Sequence, residues 1–183
     1  MQRHALLLVV AAGLCLGACG ERTEVAPAAK VTAPAAAPAA PTAAALAEGI
    51  TFANAALPDF VAKTQGISQP EPFGRWTEGP VAAIDFGGPL PTEFDLVIRG
   101  AAHGPNVNQP VKVTIGTVTK EFSFPSDMST DPQVRRLTFK LPQAANRIEF
   151  AIPKPARPAG NDIRELGLAL VSLKLEPVAA AAK

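Results

Sequence analysis

The sequence predicts an all-β fold, an antiparallel jelly-roll β-sandwich of about 8–10 strands. Three observations carry this. From about Gly49 to Pro177, short runs alternate apolar and polar residues with the period of two that half-buried strands show. Breaks rich in proline and glycine, Gly88-Pro89-Leu90-Pro91 and Pro153 to Pro158, separate the runs. No convincing amphipathic helix and no internal repeat stands among them.

In chain order the candidate strands begin with Ile50 to Ala53, Phe60 to Ile67, Arg75 to Thr77 and Val81 to Phe86. In Glu93 to Arg99, Phe94, Leu96 and Ile98 share one face while Glu93, Asp95 and Arg99 share the other. Val111, Val113 and Ile115 alternate with Lys112 and Thr114, and Lys120 to Phe124 follows. Leu137, Phe139 and Leu141 alternate with Thr138 and Lys140, and Ile148, Phe150 and Ile152 with Glu149 and Ala151. The last strand is Leu166 to Leu175, where the apolar phase shifts between Leu170 and Val171 and so predicts a β-bulge.

The ends read differently. Met1 to Ala18 has a basic start (Arg3, His4), an apolar run and then small residues, the layout of a secretory signal peptide. That run is shorter than the ~20 residues a membrane-spanning helix needs. Leu16-Gly17-Ala18-Cys19 has the form of a bacterial lipobox, so Cys19 is the expected lipidation site; Leu14 before Cys15 is too large for that alternative. Gly20 after the cysteine lacks the aspartate that retains lipoproteins in the inner membrane, which predicts the periplasmic face of a Gram-negative outer membrane. Several acyl chains anchor stably where one is marginal. Residues 19–48 are almost all Ala, Pro, Val and Thr and are expected to form a disordered tether; residues 49–177 form the folded domain and 178–183 a disordered tail.

With 183 residues there is room for one ordinary domain. Net charge is +1 and loses one positive charge with Arg3, so neither nucleic acid nor an anionic lipid surface is attracted at long range. The chain has two histidines and two cysteines, and outside the leader only His103 and Cys19 remain. Zinc fingers, cysteine proteases, disulfide frameworks and iron–sulfur sites are thereby excluded. No twelve-residue calcium loop occurs, and no cofactor or metal is expected.

No G-x-S-x-G, Walker A or H-E-x-x-H motif is present, and His103 reads as a solvated histidine in the turn-like Ala101-Ala102-His103-Gly104-Pro105. Glu71 and Asp162 are the carboxylates a glycoside hydrolase would need to bring together. Two polar clusters break the alternation. One is Gln69 to Thr77, with the only tryptophan, Trp76, near Glu71 and Arg75. Either Trp76 stacks on a sugar ring while Arg75 and Glu71 bond hydroxyls, or it fills the core and Glu71 braces Arg75 or Arg164. The other, Asn161-Asp162-Ile163-Arg164-Glu165-Leu166-Gly167, enters the final strand and is either a site or a loop brace.

Glu71-Pro72-Phe73-Gly74-Arg75-Trp76-Thr77 resembles the E-x-W-G-R-W-[ST] motif of a C-terminal domain of periplasm-facing phosphoglycerol transferases and membrane glycosyltransferases. Pro89-Leu90-Pro91, Gly104-Pro105-Asn106, Val113-Thr114-Ile115-Gly116, Ile152-Pro153-Lys154-Pro155 and the D-x-R-x-L-G ending at Asp162 to Gly167 follow in order, over about Ile50 to Leu175. The resemblance implies a galactose-binding-like jelly roll accessory to envelope glycan synthesis. Phe73 stands where the family usually has tryptophan and Arg157-Pro158 where Ser-Pro is common, and no counterpart of the transferases' catalytic domain is expected. The expectation is a non-catalytic, lipid-anchored module that binds a glycan, or a polysaccharide decorated with glycerol phosphate, through Glu71, Arg75, Trp76, Asn106, Asp162 and Arg164. A structural adaptor docking on an envelope synthase is the alternative. Partners would be an envelope polysaccharide or its synthase and the membrane, with no nucleic acid.

Overall fold

The computed structural model describes residues 38–178. The expected leader, Cys19, most of the tether and residues 179–183 lie outside the described residues.

The fold is a β-sandwich of two antiparallel sheets. Its strands are β1 (Ile50–Thr51), β2 (Val61–Gln65), β3 (Arg75–Glu78), β4 (Val81–Phe86), β5 (Glu93–Ala102), β6 (Val111–Ile115), β7 (Val118–Phe122), β8 (Gln133–Lys140), β9 (Arg147–Ala151) and β10 (Leu166–Glu176). All ten coincide with or overlap the runs read from the sequence. In the first sheet β10 lies between β5 and the short strands β1 and β3, and β8 forms the far edge. The second runs β2-β4-β9-β6-β7. Among the described residues only β6 and β7 form a sequential hairpin; every other connection between these strands carries the chain from one sheet to the other.

The apolar sets that alternation assigned to one face meet between the sheets. Phe94, Leu96 and Ile98 of β5 oppose Ile84 and Phe86 of β4 and Ile148 and Phe150 of β9, all 2% exposed or less. Each such side chain removed from water contributes roughly 1.5–3 kcal/mol. The predicted bulge is present: the β10–β5 register shifts between Leu170 and Ser172. The bulge frees the Val171 carbonyl to accept the Phe52 N–H at 3.0 Å, tying the chain after β1 to the middle of β10.

The folded part begins before residue 49. Helix α1 (Ala43–Glu48) occupies the end of the stretch expected to be tether. Thr42 caps it, its Oγ1 accepting the Ala45 N–H at 3.2 Å, and Gly49 ends it. Composition hid this helix because alanine is the best helix former yet buries little. A single large residue, Leu46 at 2% exposure, docks it on the core.

Candidate functional site

Strand β3 decides the site. Its side chains alternate, so Arg75 and Thr77 point inward and Trp76 and Glu78 outward on the first sheet. The turn before it closes through reciprocal Glu71 and Gly74 backbone bonds of 2.7 and 3.0 Å. Gly74 is required there, because a Cβ would lie only 2.0 Å from the Leu170 carbonyl oxygen.

Trp76 is half-buried on the outer face and is not core. Phe73 meets it edge-on, with centroids 5.1 Å apart, and His103 does the same at 5.5 Å. Trp76 pairs with Ala169 of β10, which pairs with Ala101 of β5. Both alanines share the outer face and are fully buried, so the aromatic group lies over a floor of small residues. His103 is half-buried here rather than a solvated loop residue, its backbone N–H donating to the Gly167 carbonyl at 2.8 Å.

Beside the aromatics, Arg164 gathers three carboxylates. Its Nε donates to both Asp162 oxygens at 3.0 Å and its Nη2 to Oδ2 at 2.6 Å. Its Nη1 bonds Glu71 Oε1 at 3.0 Å and stands 3.8 Å from Glu78. Asp162 also accepts the Arg164 backbone N–H at 2.9 Å, a local turn that fixes the pair. These hydrogen bonds, the side-chain ones first, lower the Asp162 pKa to about 2, and the Asp162 and then the Glu71 carboxylate raise that of Arg164. Asp162 is therefore ionised at neutral pH, so in a hydrolase pairing it could serve only as base or nucleophile.

The structure brings Glu71, Trp76, Asp162 and Arg164 to one outer patch. It places the other two expected ligand residues beneath it. Arg75 is 7% exposed. Its guanidinium donates to the carbonyls of Phe52, Ser68, Asn54 and Ala55 at 3.0–3.2 Å, leaving it no reach to a ligand. Asn106 is fully buried; its Nδ2 donates to the His103 and Lys154 carbonyls at 3.1 and 2.7 Å, and its Oδ1 accepts the Lys154 N–H at 3.0 Å. Both are braces, correcting the expectation that they bond ligand. Thr77 belongs with them: fully buried, it accepts the Leu168 N–H at 2.8 Å where the β3–β10 register breaks.

His103 and Glu78 complete the patch and were not among the expected site residues. The alternation of β3 was the signal for Glu78, two residues from Trp76 on the same face. Nothing local in the sequence announced that the end of β5 would lie against Trp76.

The family comparison assigns residues 40–177 to a domain of unknown function, DUF7024. Phosphoglycerol transferase I of Salmonella paratyphi B, of Salmonella newport and of Salmonella typhi are each 34% identical to the chain over 137 residues. The likeness covers 70% of this chain but only 17% of each relative. No solved structure matches.

Proposed function

The chain belongs to the DUF7024 family, and on that premise we propose that it is a non-catalytic module of envelope glycan synthesis that binds a glycan on the Trp76 patch. The carrying observation is that Trp76 stands on the outer sheet face between Phe73 and His103, not in the core. A sugar ring stacks its C–H face on such a surface. The rim formed by Arg164 and its carboxylates offers hydrogen-bond partners in fixed positions at its edge. The relatives are phosphoglycerol transferases, and the matched region is a small fraction of them, which supports an accessory role.

The test is a titration of the protein with envelope polysaccharides, read by Trp76 fluorescence and by calorimetry. The expected outcome is saturable binding, weakened about tenfold or more in Trp76→Ala. Unchanged affinity in a folded Trp76→Ala would remove this reading.

A structural adaptor is the second reading, favoured by Ile163. This residue is 77% exposed and lies between Asp162 and Arg164, an apolar tip suited to a protein interface. Ile163→Glu releasing a co-purifying membrane synthase without altering glycan affinity would support it. For either role we infer anchoring through Cys19 at the periplasmic face of the outer membrane. No helix among the described residues is long and apolar enough to cross a membrane. Fatty-acid labelling lost in Cys19→Ala tests the anchor.

A further inference from the structure

The outer face of the first sheet changes sign across the aromatic floor. On the Arg164 side three carboxylates surround one guanidinium, so Glu71, Glu78 and Asp162 repel an anionic group. On the other side, two residues along β5 from Ala101, stands Arg99, exposed and on the same face. Arg99 pairs with Ser172 of β10, and Lys174, two residues further on, points out beside it. Diagonal neighbours of this kind lie about 7–8 Å apart, a separation that a phosphate bridges. The stem of Lys174 lies over Gly49, where a Cβ would come within 2.6 Å of its Cγ, and the residue as a whole is part-exposed.

Neither Arg99 nor Lys174 has an ion-pair partner among the described residues. Asp95 and Glu176, the carboxylates next along this face, are taken up by Arg136 at 3.0 and 2.8 Å. Strand spacing puts Arg99 on the order of 12 Å from Trp76, two strands across and one step along. That is the span of a sugar ring and a substituent on it or its neighbour.

Resting on the glycan reading above, we propose that Arg99 and Lys174 form an anion subsite that takes a phosphate or phosphodiester substituent of a neutral glycan stacked on Trp76. The acidic rim at Arg164 sets the direction in which the chain lies, with the anion away from Asp162. A lipid phosphodiester headgroup has the same chemistry and is the other source to separate.

Three probes test this: an envelope polysaccharide carrying phosphoglycerol groups, the same polysaccharide stripped of them, and phosphatidylglycerol vesicles. The substituted polymer is expected to bind about fivefold to tenfold tighter than the stripped one at low salt, with the margin closing in high salt. In Arg99→Ala and Lys174→Ala the margin disappears while the stripped polymer binds as before. Vesicle binding that depends on the same two residues, with no preference between polysaccharides, supports the subsite and assigns its anion to lipid. Equal binding of the two polysaccharides, with no vesicle binding, overturns the subsite and leaves the Trp76 reading intact. Phosphoglycerol-dependent binding that survives Trp76→Ala but fails in Arg99→Ala overturns the glycan-stacking reading and keeps the subsite.

Discussion

Replacing Arg75 by alanine separates brace from ligand contact. The substitution removes four hydrogen bonds to carbonyls. The Asn54 and Ala55 carbonyls sit on exposed residues, where water replaces the guanidinium. The bonds to Phe52 and Ser68 are buried, and each orphaned carbonyl there costs about 1–3 kcal/mol. Relief from holding a buried cation offsets part of this, so the expected loss is roughly 3 kcal/mol. Urea unfolding followed by Trp76 emission is the assay. With a slope of about 1–3 kcal/mol per molar urea, the midpoint falls by about 1–3 M. Trp76→Ala, followed by circular dichroism, is expected to cost only about 1 kcal/mol, since its ring is half-buried. A core tryptophan would cost about 3–5 kcal/mol. A midpoint shift in Arg75→Ala no larger than that of Trp76→Ala would refute the assignment of the first as brace and the second as surface.

Lowering pH tests the Arg164 cluster. The Asp162 pKa is about 2, below the ordinary 3.8, so the unfolded chain binds more protons between those values. Its stabilising contribution is full above about pH 5 and is lost as pH falls towards 2, a slope that acid titration should show reduced in Asp162→Asn. Leu46→Ala is expected to cost about 2 kcal/mol or more in chemical unfolding, because this is the one large side chain that docks α1; no change would mean that the helix adds nothing to the fold. Thr77→Val keeps shape but strands the Leu168 N–H and is expected to cost about 1–3 kcal/mol, with a neutral result showing that the broken register finds another acceptor. Asn106→Asp puts a buried carboxylate against the His103 and Lys154 carbonyls. Its destabilisation should therefore widen as pH rises from about 4, and a pH-independent difference would contradict the geometry.

The strands were legible because each is half-buried, and half-burial is what period two records. Phe94, Leu96 and Ile98 face in and Arg99 faces out as the pattern says. The bulge at Val171 was legible for the same reason, since a residue added to one strand breaks phase. Strand partners were not. Nearly every connection crosses between sheets, so neighbours such as β3 and β10 are some ninety residues apart, and no local pattern links Trp76 to Ala169. Arg75 and Trp76 were assigned by residue type, the cation as ligand contact and the tryptophan as core or platform. The strand's alternation reverses the usual preference: the arginine goes in because loop carbonyls there need donors, and the tryptophan goes out. Helix α1 was missed because one leucine among alanines makes no stripe.

The segment from Glu71 to Thr77 can be sorted by what the fold asks of each residue. Glu71 holds Arg164 and closes the turn. Gly74 admits the Leu170 carbonyl. Arg75 satisfies four carbonyls, and Thr77 satisfies an N–H that the broken ladder strands. Each of these meets a backbone group or an ion partner that would otherwise be left unpaired. Phe73 and Trp76 meet none: the Trp76 backbone pairs with Ser68 whatever side chain it carries, and the rings contact one another and His103 on the outside of the sheet. Covering Ala169 and Ala101 would take only an aliphatic side chain. Two aromatic rings and an imidazole, held from below by Arg75 and Asn106, make a larger and more rigid surface than that cover needs. Rigidity lowers the ordering entropy of binding, since the platform is set before the ligand arrives. The aromatic surface is thus the part of the segment that folding leaves unexplained and that the proposed glycan binding would account for.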